Sequence, residues 1–193
     1  MYKKYIKNVL DKILSTFAII LLLPIYIIIS LLIVFIDHNK VIYKQKRTGK
    51  GGNIFEIYKF TTFKDNKVTK LGKVLRLLSL DEIPQFINIL KGEMSFIGPR
   101  PWLIDYYDNM NNNQRKRYDV LPGMTGLAQV NGRNSISIKE KIEYDLKYVD
   151  NISFLLDLKI AFKSISVVIS KDDNKAKDNI KNEISDLKKM NMN

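Results

Sequence analysis

From Ile13 to Ile36 the chain runs without a charge, about 24 residues, which exceeds the roughly 18 that mark a membrane candidate. Basic residues flank the run on both sides: Lys3, Lys4, Lys7 and Lys12 precede it, and Lys40, Lys44, Lys46, Arg47 and Lys50 follow. Lys and Arg collect on the cytoplasmic side of membrane segments, so both ends read as cytoplasmic. Pro24 sits mid-run, removes a backbone hydrogen bond and predicts a kink. Two arrangements satisfy these facts. The helix enters one leaflet, breaks at Pro24 and returns, with Ser15, Thr16, Tyr26 and Ser30 available to the freed backbone groups, or it crosses as a tilted, kinked span. A cleavable signal peptide fits poorly, because its apolar core is typically about 7–15 residues and a small-residue cleavage site follows it. Here Asp37-His38-Asn39-Lys40 follows.

Beyond the run, residues 41–47 and 54–60 read as two strands joined by the Gly-rich stretch Thr48-Gly49-Lys50-Gly51-Gly52-Asn53, a hairpin. Gly49-Lys50 is not a phosphate loop, since the P-loop pattern needs Ser or Thr where Gly51 stands and Gly where Lys44 stands. Leu71, Val74, Leu75 and Leu78 recur at helical spacing, with Lys70, Lys73 and Arg76 between them. That pattern predicts a basic amphipathic helix at a membrane surface. Further helices are expected over residues 80–90 and 153–169, and a solvated, charged, partly helical tail from Lys171.

Composition narrows the chemistry. The 193 residues include no Cys and one His, which excludes a Cys/His zinc site, a thiol nucleophile and a disulfide framework. Any catalysis falls to carboxylates, hydroxyls, Lys and Arg. The formal charge of +12 favours anionic partners: phosphorylated metabolites, acidic headgroups or a nucleic acid. Aromatic residues are not interleaved with the cations as single-strand binding requires, so no nucleic acid is expected. A membrane-tethered, non-enzymatic binder of anionic polymers remains the rival reading.

Ser79-Leu80-Asp81-Glu82-Ile83-Pro84-Gln85 places adjacent carboxylates at the start of an expected helix. Ser-x-x-Glu is a capping box, and acidic residues in a first turn complement the helix dipole, so a purely structural role accounts for the run. The same geometry keeps a carboxylate ionised and attracts phosphate, and an ionised Asp is a competent nucleophile toward phosphorus. Adjacent helical residues do not face each other, so one would attack while the other binds a metal or handles a proton. Gly98-Pro99-Arg100-Pro101 fixes the backbone on both sides of one guanidinium, which suits multidentate phosphate binding. Residues 122–133 add three glycines, the amides Gln129 and Asn131, and Arg133, a loop whose backbone could approach a nucleotide.

Taken in order, these segments resemble the bacterial sugar transferases, specifically the monotopic phosphoglycosyl transferases with a minimal catalytic core. The resemblance spans roughly residues 5–170. It rests on Leu80-Asp81-Glu82-Ile83-Pro84-Gln85, on Lys91-Gly92-Glu93-Met94-Ser95-Phe96-Ile97-Gly98-Pro99-Arg100-Pro101 and on Pro122-Gly123-Met124-Thr125-Gly126-Leu127. It implies a helix that re-enters the membrane around Pro24. It implies that Asp81 attacks the sugar-bearing phosphate of a UDP-sugar, releasing UMP, and that undecaprenyl (polyprenyl) phosphate takes the sugar phosphate from Asp81. Glu82 matches an acidic residue implicated in binding Mg²⁺, and Arg76 and Arg100 match arginines near the anionic substrates. Three positions depart from the family pattern: Thr61 stands for the Arg of Lys-Phe-Arg, Leu23 for the Ser before the membrane proline, and Leu77 for a basic residue after Arg76.

The expected fold is therefore α+β, a small cytosolic domain with a short β-hairpin and several amphipathic helices seated on an N-terminal re-entrant helix. Residues 1–40 form the membrane segment, 41–170 the catalytic domain and 171–193 the tail. Asp81 and Glu82 are the expected catalytic residues, with Glu82 also the metal ligand, Lys59, Arg76, Arg100, Gln129 and Arg133 the substrate-binding residues, and Pro24 the membrane break. The expected partners are Mg²⁺, a UDP-sugar, undecaprenyl phosphate, inner-membrane lipid and, as a further candidate, a second copy of the chain. The expected task is the first step of surface-glycan or glycoprotein-glycan assembly, at the cytoplasmic face of a bacterial inner membrane.

Overall fold

A computed structural model of the chain describes residues 2–132, 135–169 and 180–191. The long apolar run forms one helix, α1 (Lys7–Phe35), preceded by a π-helical turn over Tyr2–Ile6. Among the described residues α1 is the one helix long and apolar enough to cross a membrane. Most of its large side chains, Phe17, Ile20, Leu21 and Phe35 among them, are exposed. Pro24 does not end the helix, which continues through it to Phe35. Of the hydroxyls near the proline, Ser30 donates back to the Tyr26 carbonyl at 2.7 Å, whereas Ser15 reaches out of the helix to the Phe86 carbonyl at 2.6 Å.

Both halves of α1 rest on the same domain. Near its start, Asp11 accepts from the Phe96 amide and Lys7 pairs with Asp157 at 2.6 Å. Near its end, Ile29 and Ile33 are buried against Phe60, Leu75 and Ile83.

The expected hairpin is present: β1 (Ile42–Thr48) pairs antiparallel with β2 (Ile54–Phe60), Ile42 opposite Phe60 and Thr48 opposite Ile54. Lys44 and Lys46 are exposed, whereas Tyr43, Gln45 and Arg47 lie on the other face, the period of two that a pleated strand imposes. A short pair, β3 (Phe63–Lys64) with β4 (Lys67–Val68), leads to α2 (Lys70–Leu77). Thr69 caps α2 by accepting from the Gly72 amide. Gly72 presses directly on the chain leaving β2: a Cβ there would lie 2.1 Å from the Thr62 carbonyl oxygen, so no larger residue fits. Val74, Leu77 and Leu78 remain exposed, an apolar edge outside the core.

The helix expected over residues 80–90 is shorter and begins later. Ser79 adopts a left-handed conformation (φ 55°, ψ 19°), Leu80–Glu82 form a single 3₁₀ turn, and α3 starts only at Gln85 (Gln85–Lys91). A left-handed residue cannot serve as the extended N-cap, and no side-chain cap bond forms at Ser79.

Next, β5 (Ser95–Ile97) pairs in parallel with β6 (Gly123–Thr125) across a connection carrying α4 (Ile104–Asp108) and α5 (Asn112–Arg115). The glycines expected to let a nucleotide approach the backbone serve a different purpose: a Cβ at Gly123 would meet the Gly98 nitrogen at 2.1 Å, and one at Gly126 the Gly98 carbonyl oxygen at 2.1 Å. They let two backbone segments touch each other.

The remaining helices are α6 (Leu127–Val130), α7 (Ile138–Asp150), α8 (Phe154–Ile169) and α9 (Ile180–Met190). The α7 helix, which the hydrophobic pattern did not announce, begins at a complete capping box between Ser137 and Glu140. Along α8, Phe154, Leu155, Phe162 and Ile165 are exposed while Ile160 is buried with Ile97 and Tyr148. The stretch expected to be a solvated tail contributes α9, which docks. Leu187 is fully buried with Tyr106 and Ile142, and Glu183 accepts from the Tyr106 hydroxyl and from Lys141. The domain is thus α+β, with small two-stranded sheets and short helices gathered beside one long apolar helix.

Candidate active site

Asp81 and Glu82 sit on the 3₁₀ turn between α2 and α3, at one side of an open cleft of about 1370 Å³. Lys59 near the end of β2, Arg76 in the last turn of α2 and Arg100 from the Pro-flanked loop line the same cleft. Five of the residues singled out from sequence are therefore brought together: Lys59, Arg76, Asp81, Glu82 and Arg100. Gln129, on α6, also lines the cleft. Arg133 lies outside the described residues. Pro24 is exposed on α1 and does not line the cleft.

The two adjacent carboxylates differ in their surroundings. The Lys59 ammonium stands 2.6 Å from Glu82 Oε1 and Arg100 Nη2 stands 3.1 Å from the same oxygen. Burial pushes the Glu82 carboxyl pKa up, but Arg100 and Lys59 outweigh it and bring the value down to about 2. Asp81 has only the more distant contact, 3.9 Å from its Oδ2 to Lys59, and among the described residues its side chain takes part in no hydrogen bond. Burial raises its pKa, Lys59 opposes that, and the neighbouring Glu82 charge adds to the rise. Glu82 is thus paired closely by two cations, whereas Asp81, among the described residues, has one long ion pair and accepts no hydrogen bond.

Arg76 Nε donates to Thr62 Oγ1 at 2.8 Å, a bond made possible by the tight seat of Gly72 on Thr62. Thr61, the departure from the family pattern, is buried, and its amide bonds the Val41 carbonyl. Arg47 was visible in the sequence only as a flanking charge, yet it lines the cleft. The signal lay in the strand alternation, which puts residues 43, 45 and 47 on one face. Burial and the Arg100 charge both lower the Arg47 pKa, although its guanidinium stays a cation far above neutral pH. The Gln129 side chain carries both of its amide atoms buried with no partner among the described residues. A buried, unpaired carboxamide costs free energy.

Among the described residues no three acidic or His side chains cluster as a self-sufficient metal cage. Mg²⁺, however, is commonly held by one or two carboxylates together with substrate phosphates. Lys59 and Arg100 both take Glu82 Oε1, and Oε2 has no hydrogen bond among the described residues, so one carboxylate oxygen remains that fits that mode.

The cleft therefore belongs to a class of site in which a carboxylate stands among fixed cations, suited to anionic phosphate substrates. Comparison with known proteins agrees: residues 2–171 match the family model for bacterial sugar transferases, and the chain belongs to that family. It is 45% identical over 143 residues to the uncharacterized sugar transferase EpsL of Bacillus subtilis, covering 68% of this chain and 71% of that protein. It is 34% identical over 191 residues to the exopolysaccharide production protein ExoY of Sinorhizobium fredii, covering 84% of each. It is 39% identical over 181 residues to the UDP-glucose:undecaprenyl-phosphate glucose-1-phosphate transferase of Klebsiella pneumoniae, covering 82% of this chain but only 39% of that protein. Membership makes the chain a transferase enzyme and sets aside the passive binder of anionic polymers.

Proposed function

We propose that the chain transfers a sugar 1-phosphate from a UDP-sugar to undecaprenyl phosphate through a covalent intermediate on Asp81, starting the assembly of a surface glycan. The observation that carries this reading is the unequal pair, a paired, ionised Glu82 beside a buried Asp81 that has no hydrogen bond among the described residues, ringed by Lys59, Arg76 and Arg100. The named activity of the Klebsiella relative, which moves glucose 1-phosphate from UDP-glucose to undecaprenyl phosphate, supports the choice of donor and acceptor classes.

In the first half-reaction an Asp81 oxygen attacks the phosphorus that bears the sugar. The bond from that phosphorus to the bridging oxygen breaks, and UMP leaves with the electron pair. In the second, a phosphate oxygen of the lipid attacks the same phosphorus, Asp81 departs, and a lipid-diphosphate sugar forms. Lys59, Arg76 and Arg100 hold the diphosphate against an anionic nucleophile, a preorganised electrostatic arrangement. Glu82 keeps Lys59 and Arg100 in place and is the residue that would hold Mg²⁺. When bound, the ion supplies charge neutralisation at the diphosphate.

The membrane seat is part of the same proposal. A helix of 29 residues is about 43 Å long, enough to cross a bilayer, yet both of its halves rest on one domain. Basic clusters at both ends support re-entry from the cytoplasmic side. The exposed apolar edges of α2 and α8 are suited to the headgroup boundary, close to the acceptor phosphate.

Supplying donor without acceptor should leave a sugar-phosphate adduct on the intact protein, visible by mass spectrometry, with release of one UMP. UMP release with no adduct at any time would reject the covalent route. For the membrane seat, single cysteines at Lys4 and Asn53 are probed with an impermeant thiol reagent in intact cells. Both should be protected until the cells are permeabilised, and labelling at position 4 in intact cells would establish a full span.

A further inference from the structure

The loop that presents Arg100 is held in an unusual way. Four successive carbonyls, from Pro99 to Trp102, are each bonded by a different partner: Pro99 by the Gly123 amide, Arg100 by the Arg117 guanidinium, Pro101 by Arg47, and Trp102 by the Thr48 amide. Residues 99 and 101 are prolines, so the loop has few soft torsions of its own. Of the four anchors, the Arg117 guanidinium is the one that comes from an entirely buried charge. Arg117 Nη2 donates to the Arg100 carbonyl at 2.8 Å and to Asp145 Oδ2 at 2.7 Å, and its Nε donates to the same Oδ2 at 2.9 Å. The guanidinium lies 3.8 Å from the ring centre of Trp102 and also faces Tyr118. Arg117 and Asp145 are 1% and 2% exposed.

A sealed ion pair is an expensive way to fill a core, and apolar residues of the same volume often serve stability as well or better. Among the described residues, Arg117 Nη1 and Asp145 Oδ1 are also buried with no hydrogen bond that meets normal geometry, so the pair alone does not satisfy both groups. What the guanidinium does that an apolar side chain cannot is reach the backbone of Arg100, whose own side chain meets Glu82 on the cleft side.

We infer that Arg117, oriented by Asp145, is a positioning residue: it holds the Arg100 carbonyl and so aims the Arg100 guanidinium at Glu82 and at the anionic substrate. The inference rests on the role given to Arg100 above. A planar fork is needed because one group must serve a carboxylate and a carbonyl at once, which a lysine ammonium does with less fixed geometry. Displacements on the order of 1 Å at such a group can cost about 100-fold in rate.

The test is a double-mutant cycle. Arg117→Lys keeps the buried charge but loses the fork, so the variant should fold with a lowered melting temperature while kcat/KM falls about 10-fold or more. In an Arg100→Ala background the same change should cost less than about 3-fold, because there is no guanidinium left to aim. Full additivity of the two changes would overturn the proposal, as would unchanged kcat/KM in folded Arg117→Lys. If Arg117→Lys does not fold, the paired replacement Arg117→Met with Asp145→Leu restores an apolar core without a donor for the carbonyl. It should fold and show the same loss and the same non-additivity, and wild-type kcat/KM in that variant would reject the role. The cycle is read a second time as UDP affinity by calorimetry, without turnover. A wild type that binds UDP but releases UMP from no UDP-sugar rejects the proposed reaction and leaves this cycle to decide on Arg117. A wild type that does not bind UDP overturns both.

Discussion

Two Ser-x-x-Glu sequences in this chain end in opposite structures. At Ser137-Ile138-Lys139-Glu140 the motif does what its spacing predicts: the Ser137 hydroxyl accepts from the Glu140 amide at 3.2 Å, the Glu140 carboxylate accepts from the Ser137 amide at 2.9 Å, and α7 follows. At Ser79-Leu80-Asp81-Glu82 Ser79 is left-handed, the turn is 3₁₀, and Glu82 turns away from the backbone toward Lys59 and Arg100. Both glutamates have lowered pKa values, for different reasons: Glu140 through its bonds with Ser137, and Glu82 through two cations that outweigh its burial. Local sequence writes the cap, and the tertiary environment decides whether the carboxylate is spent on it. Where cations converge, the carboxylate is withdrawn from helix capping, and a strained backbone marks the place.

The sharpest way to break this contrast is at Asp81. Asp81→Asn preserves shape and removes the nucleophile, so turnover should fall by about 10³-fold or more and the covalent adduct should vanish. Because burial raises the Asp81 pKa, the charge is disfavoured in the fold, and the variant should be at least as stable as the wild type at neutral pH. Unchanged turnover in folded Asp81→Asn would end the assignment.

Glu82 comes next. Glu82→Gln should lose roughly 100-fold in turnover, and chelation by EDTA should abolish activity in the wild type. Glu140→Gln, which alters the other motif, should leave kcat/KM within about 2-fold and serves as the control. Full activity in excess EDTA would contradict the metal.

The pair also titrates in opposite senses. Glu82 is depressed from an ordinary value near 4.5 to about 2, so between those values the unfolded chain binds more protons than the fold. Its contribution to stability is therefore present above about pH 4.5 and is lost as pH falls through about 2. Asp81 is raised, so the fold binds more protons there and its contribution falls as pH rises through its window. Thermal melts should show Glu82→Gln destabilised at pH 7 and converging on the wild type near pH 2. Asp81→Asn should instead gain on the wild type as pH rises. Parallel curves for the two variants would show that their environments are alike.

Much of this was legible from the chain. The Gly-rich stretch between two expected strands located the hairpin, helical spacing located α2, the helix expected over residues 153–169 is α8, and the acidic and Pro-Arg-Pro segments named residues that line the cleft. The misses share a cause, because each depends on groups distant in sequence. Residues 80–90 look helical in isolation, but Glu82 meets cations 23 and 18 residues away. The glycines of residues 123–126 look like a nucleotide loop, but Gly98 fills the space above them. Arg117 and Asp145 look like surface charges in a polar stretch, and only their pairing across 28 residues buries them. The α9 helix reads as a polar tail because charges and amides dominate the stretch, although Ile184, Leu187 and Met190 recur at helical spacing and are the residues that meet the Tyr106 cluster.

The smallest effect separates the two serines. A side-chain cap is worth about 1 kcal/mol, so Ser137→Ala should lower stability by about that much, a fall of roughly 2–4 °C in Tm for a chain of this size. The same change at Ser79 removes no cap bond, and a left-handed alanine is about as strained as a left-handed serine, so its cost should stay within about 0.5 kcal/mol. A valine at 79 is different, because a β-branched side chain strongly resists positive φ. Ser79→Val should destabilise by about 1–2 kcal/mol and, by forcing the turn toward an extended cap, draw Asp81 and Glu82 away from Lys59 and reduce turnover. A Ser79→Ala penalty equal to that of Ser137→Ala would restore the capping box at the acidic turn, and with it the view that Glu82 serves the helix rather than the cleft.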